Sequence, residues 1–191
     1  EMSKTGTSWW RRILGRGDPS VPGDTRGAAG SARVGGDPPL PAETHATAHD
    51  RRWMARALEL ARDAGARGEV PVGAVVYLTD TGERLAEASN TREHGHDPTG
   101  HAELTAVRAA AAALGDWRLN ACTVVVTLEP CTMCAGMLIN ARAGRVVYGA
   151  DDPKAGACRS LYRITTDPRL NHRCEVVAGL EADACGRVLR E

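Results

Sequence analysis

The sequence has no phenylalanine, and aromatic residues make up only 4% of its 191 positions. That leaves little flat aromatic surface on which nucleic-acid bases could stack. Net charge is also missing: 24 basic side chains balance 24 acidic ones. No global basic field attracts polyanions, so any such contact must use local patches. No apolar run is long enough to span a membrane, no signal-peptide pattern opens the sequence, and no internal repeat is visible. The six cysteines (122, 131, 134, 158, 174 and 185) are therefore expected in a reducing cytoplasm, not in a disulfide framework.

Large apolar residues are also scarce in residues 1–49. The first fifty positions hold five of the ten prolines and eight of the 21 glycines. Such a composition cannot bury enough surface to offset chain entropy, so 1–49 is expected to be a disordered or low-complexity extension. Its exception is Trp9-Trp10-Arg11-Arg12-Ile13-Leu14, to which no function is assigned. The folded domain is expected over 50–191.

Within that domain, His101-Ala102-Glu103 is followed, after a strand, by Pro130-Cys131-Thr132-Met133-Cys134. One imidazole and two thiolates make three zinc ligands. A structural zinc site is closed by four protein ligands, whereas a catalytic one keeps a position for water. Glu103 stands where a carboxylate could move the proton of that water without binding the metal. The pattern resembles the signature of zinc-dependent nucleobase deaminases. Two other readings stay open. A Cys-x-x-Cys between strand and helix can be a redox dithiol that works without His101. A non-catalytic zinc module would need a fourth ligand such as His94, His96 or another cysteine.

The flanking residues predict an α/β fold. Trp53, Met54, Ala57, Leu58, Leu60 and Ala61 recur at helical spacing over 51–67. Strands are expected over 72–79 and 84–89, joined by the turn Asp80-Thr81-Gly82-Glu83. A helix from His101 to Leu114 follows, then a β-branched strand from Cys122 to Leu128. Pro130 suits the first position of the next helix, with Cys131 and Cys134 in its first turn. A strand at 145–150, another at 175–178 and a helix from Ala182 complete the series. Such alternation argues a sheet with helices on both faces.

Several stretches make the chain similar to the bacterial tRNA-specific adenosine deaminases (TadA): Glu69-Val70-Pro71-Val72-Gly73-Ala74-Val75, Asn90, His96 to Glu103, Val126 to Met137, Arg145 to Ala150, Lys154 to Ala157, and Asn171-His172-Arg173. The likeness covers about residues 51–191. It implies a three-layer α/β/α cytidine deaminase-like fold with a mixed sheet of about five strands, one zinc per chain and a homodimer. The substrate it implies is a tRNA anticodon stem-loop, with neither DNA nor membrane as partner, and the reaction turns adenosine to inosine at the wobble position. Carried over residue by residue, His101, Cys131 and Cys134 match the zinc ligands, and Glu103 the proton shuttle. Asn90 matches the asparagine that binds the flipped base. Asp152 matches an acidic residue beside the neighbouring sugar, and Arg173 joins the substrate-binding set. Asp151 reads as an ordinary loop carboxylate. Glu103 would take a proton from a water made acidic by zinc, freeing hydroxide to add at C6 of adenine, then pass the proton to ring nitrogen and departing ammonia. A deaminase of free guanine, cytosine or cytidine shares the catalytic motif and is the principal rival.

Two departures stand out. Gly100 replaces the family's usual alanine and could loosen the zinc histidine. The final helix stops at Glu191, short of the aromatic and basic stretch with which relatives contact the anticodon loop. Either the final helix is cut short by the end of the given sequence, or contact with RNA falls to groups such as Arg159, Tyr162, Arg163, His172 and Arg173.

Overall fold

The computed structural model describes residues 45–191; Trp9 to Leu14 and nearly all of the expected 1–49 extension lie outside the described residues. The elements run α1 (Ala48–Ala66), β1 (Gly73–Leu78), β2 (Arg84–Ser89), α2 (Arg92–Gly95), α3 (Ala102–Leu114), β3 (Cys122–Leu128), α4 (Thr132–Asn140), β4 (Arg145–Ala150), β5 (Glu175–Ala178) and α5 (Ala182–Val188). A 3₁₀ turn at Ile164–Thr166 precedes β5.

The five strands form one mixed sheet in the order β2-β1-β3-β4-β5. β1 runs antiparallel to both β2 and β3, while β3, β4 and β5 are parallel. Because side chains alternate along a strand, β1, β3, β4 and β5 each feed both faces. Val75, Tyr77, Val125, Val147 and Val177 pack with Trp53, Met54, Ala57, Leu58 and Ala61 of α1 and with Cys185 and Val188 of α5. Ala74, Val76, Val124, Val126, Val146 and Tyr148 pack with α3 and α4 on the other face. The result is the expected α/β/α sandwich. α1 lies unusually close to β1 at Gly73, where a Cβ would come within 2.1 Å of the Ala57 carbonyl oxygen. The expected hairpin turn is present, with Gly82 at φ 72° and its carbonyl accepting from Trp53 Nε1 at 3.0 Å.

α1 begins three residues before the expected 51, because Thr47 and Asp50 form a capping box. Asp50 is also fully buried. It accepts from Arg145 Nη1 at 2.6 and 2.7 Å and from the Tyr77 hydroxyl at 2.6 Å. Arg145 further donates to Glu175 and to the His45 carbonyl, each at 3.0 Å. This network ties the start of α1 to the starting ends of β4 and β5. The opposite end of the parallel strands is left for the site.

Candidate metal centre and substrate recess

Two helix starts converge at the end of β3. His101 is the N-cap of α3 and Cys131 the N-cap of α4, and neither makes a side-chain capping bond. Pro130 therefore lies just outside α4, not at its first helical position as expected. Cys131 takes the extended N-cap conformation, at φ −71° and ψ 176°, which aims its sulfur back toward α3. Cys131 Sγ lies 3.7 Å and Cys134 Sγ 3.6 Å from His101 Nδ1. Tetrahedral bonds of about 2.3 Å to sulfur and 2.0–2.1 Å to nitrogen would separate those atoms by about 3.6 Å. The donors are thus preset for zinc, and among the described residues the cluster contains these three side chains alone.

The electrostatics favour one of the two thiolates before any metal is bound. Hydrogen bonding from the Cys134 thiol, reinforced by His101, brings Cys131 down to about 4, while the same bond and burial hold the Cys134 proton on. The hydrogen bond to Cys131 raises His101. Burial raises Glu103, which is 4% exposed at the second position of α3. A carboxyl whose proton affinity is raised can accept a proton and hold it until a leaving group needs it.

Above these groups is a recess of about 140 Å³, whose lining includes Val70, Val72, Asn90, Arg92, His101, Glu103, Leu128, Cys131, Asp152 and Ala155. It is smaller than the ~300–1,000 Å³ typical of sites for drug-sized ligands, a size that suits one flat ring system. Asn90 and Asp152 thus line the same recess as Glu103. Arg173 does not; it is exposed just ahead of β5, at the starting ends of the parallel strands. His172 Nε2 bonds the Ala143 carbonyl at 2.8 Å, and Arg159 pairs with Asp151 at 2.7 Å. Tyr162 is 55% exposed. Gly100 is buried and held by backbone bonds to Thr91 and Asp97, and an added Cβ would lie 3.1 Å from the Arg92 nitrogen. The turn is close-packed around Gly100, so a methyl group there would require its neighbours to give way by a few tenths of an ångström.

Two buried acids were not singled out from the sequence. Glu69 accepts from Asn90 Nδ2 at 2.8 Å, from His94 Nδ1 at 2.9 Å, and from the backbone nitrogens of Glu93 and His94. It fixes how the Asn90 amide faces the recess, and it occupies His94, one of the candidate fourth ligands. Glu129 gathers donors from residues 152–160 on the other side. Arg92, ion-paired with Glu93 at 3.4 Å, adds a cation to the lining.

A three-donor metal centre at two helix starts, with a buried acid beside it under a base-sized recess, defines a zinc-dependent deaminase on an α/β/α sandwich. Residues 47–150 match the cytidine and deoxycytidylate deaminase zinc-binding region, and the chain belongs to that family. It is 43% identical over 140 residues to the tRNA-specific adenosine deaminase of Bacillus subtilis, covering 73% of this chain and 86% of that one. A solved tRNA:A34 deaminase, described for A-to-I editing at the wobble position, superposes with a TM-score of 0.68 at 42% identity, over 72% of this chain and 98% of that chain. A guanine deaminase from Nitrosomonas europaea superposes at 0.62 with 26% identity, over 81% and 86%.

Proposed function

We propose that residues 50–191 form a zinc-dependent deaminase domain that converts adenosine to inosine at the wobble position of a tRNA anticodon. The observation that carries this reading is the gathering of His101, Cys131, Cys134, Glu103, Asn90 and Asp152 around one recess, in a chain 43% identical to a tRNA-specific adenosine deaminase. His101, Cys131 and Cys134 would hold one zinc ion, which when bound supplies a polarised water of lowered pKa. Glu103 is the proton carrier: its burial lets it take a proton from water and return it to the ring and departing ammonia. Asn90, its amide oriented by Glu69, reads the base edge. Asp152 Oδ1 accepts from the Lys154 and Ala155 nitrogens, a turn that holds its carboxylate at the recess wall for a neighbouring sugar.

Extrusion of a base costs least where it is already unpaired, which favours an anticodon loop over a duplex. Arg173, at the far end of the sheet, is assigned to phosphates away from the recess. A homodimer and a cytoplasmic location complete the proposal; six free cysteines support a reducing compartment. Among the described residues no helix is long and apolar enough to cross a membrane. The deciding experiment measures inosine on a panel of anticodon stem-loops beside free adenosine, cytidine and guanine. Inosine in a stem-loop supports the reading; rapid, salt-insensitive turnover of guanine with none in tRNA overturns it.

A further inference from the structure

Glu129 borders the recess, yet its carboxylate is spent on backbone. Oε1 accepts from the nitrogens of Cys158, Arg159 and Ser160 at 3.0, 2.7 and 2.9 Å. Oε2 accepts from the Asp152 nitrogen at 3.0 Å and from the Ser160 hydroxyl. The loop can wrap this tightly because residue 156 is glycine: a Cβ there would fall 2.3 Å from Oε2. The same loop is stitched to the metal segment, through a bridge between Gly156 and Cys131 and a bond from the Ala157 nitrogen to the Pro130 carbonyl at 2.8 Å. Burial of a carboxylate is costly unless donors replace its water. Here five donors do so, four of them main-chain.

We infer that Glu129 is a positioning residue that uses the acceptor capacity of both oxygens to hold the Asp152 wall of the recess in register with the cysteine ligands. The inference rests on the proposed reading of that recess as the seat of a tRNA adenosine. Packing alone cannot do this work. Glutamine has the same shape, but offers one acceptor oxygen and one NH₂ group. Its oxygen would keep the three amides of 158–160, leaving its NH₂ to face the Ser160 hydroxyl, which can accept, and the Asp152 N–H, which cannot. Glu129→Gln therefore releases the Asp152 end of the loop selectively.

The test uses the zinc-loaded full chain, comparing wild type, Glu129→Gln and Glu129→Asp. Amide hydrogen exchange is read residue by residue, with zinc content and stem-loop kinetics measured on the same samples. Expected for Glu129→Gln is about tenfold faster exchange at Asp152, with α1 amides unchanged and one zinc retained. KM should rise about tenfold while kcat stays within about twofold. Glu129→Asp, which restores a two-oxygen acceptor, should recover part of the protection and of the KM. Unchanged exchange at Asp152, exchange that rises evenly across the sheet, or loss of zinc overturns the inference. Failure of the wild type to form inosine in any stem-loop counts against the functional reading instead, and the exchange pattern still decides the role of Glu129.

Discussion

Replacing Asp50 by alanine should be among the most destabilising single changes far from the recess. The carboxylate is fully buried and holds Arg145, itself 6% exposed, the Tyr77 hydroxyl and the Thr47 nitrogen. Removing one partner of a buried ion pair costs about 3–5 kcal/mol. Arg145 keeps Glu175 and the His45 carbonyl, which argues for the lower end, and loss of the capping box adds about 1 kcal/mol. For a domain near 150 residues, each kcal/mol moves Tm by about 2–4 °C, so a fall of about 8–16 °C is expected in thermal unfolding. Burial opposes ionisation of Asp50, but the bonds from Arg145, Tyr77 and Thr47 win and hold its pKa low. A depressed carboxylate contributes stability above its unfolded pKa, near 3.9, and loses it as pH falls through the folded value. The gap between wild type and variant should therefore be full at neutral pH and narrow below about pH 4. Adding Arg145→Met to Asp50→Ala should recover much of the loss, because the uncompensated buried cation is then gone. A fall of less than 3 °C, or a gap that persists undiminished at pH 2.5, would refute this account of the network.

Other expectations concern the site. Glu103→Ala should keep one zinc by elemental analysis and lose turnover by at least about 10²-fold; loss of the metal would make Glu103 a ligand instead. Cys131→Ser should lose zinc and, with it, inosine formation on any substrate, whereas retained zinc would reinstate a fourth protein ligand. Asn90→Ala should remove base recognition even at saturating RNA, while Arg173→Ala should weaken binding and leave kcat at saturation nearly unchanged. Stem-loop affinity should fall steeply with added salt as phosphate contacts release counterions, and a flat salt profile in a binding assay would exclude a phosphate-dominated contact.

What could be read in the sequence was whatever local spacing determines. The helical stripe of α1 is legible by its periodicity, β3 by its unbroken β-branched run, and the His-x-Glu and Cys-x-x-Cys elements by their joint order. Errors arose at helix starts. Pro130 suggested a first helical position, but Cys131 must take an extended backbone to turn its sulfur toward His101. The Thr47–Asp50 capping box starts α1 ahead of the apolar stripe, which begins only at Trp53, so the stripe alone places the helix start too late. Glu69 and Glu129 were harder. Their donors lie 21–31 residues away, so no local pattern explains them. The available signal was an acid inside otherwise apolar surroundings, Glu69 before Val-Pro-Val and Glu129 after Val-Thr-Leu, where charge is tolerated only if something distant solvates it.

His101 and Cys131 occupy helix N-caps without capping them. A serine, threonine, asparagine or aspartate there would be the stronger N-cap, by about 1 kcal/mol for each helix. The chain forgoes that twice, at adjoining helices, and so leaves the starts of α3 and α4 dependent on whatever joins the three donor atoms together. Metal loading should then act as a shared clasp. Chelation should fray the first turns of both helices at once while α1, closed by its own side-chain box, stays intact. Thermal stability would thereby report cofactor status, and a cell short of zinc would accumulate a locally loosened protein before a globally unfolded one.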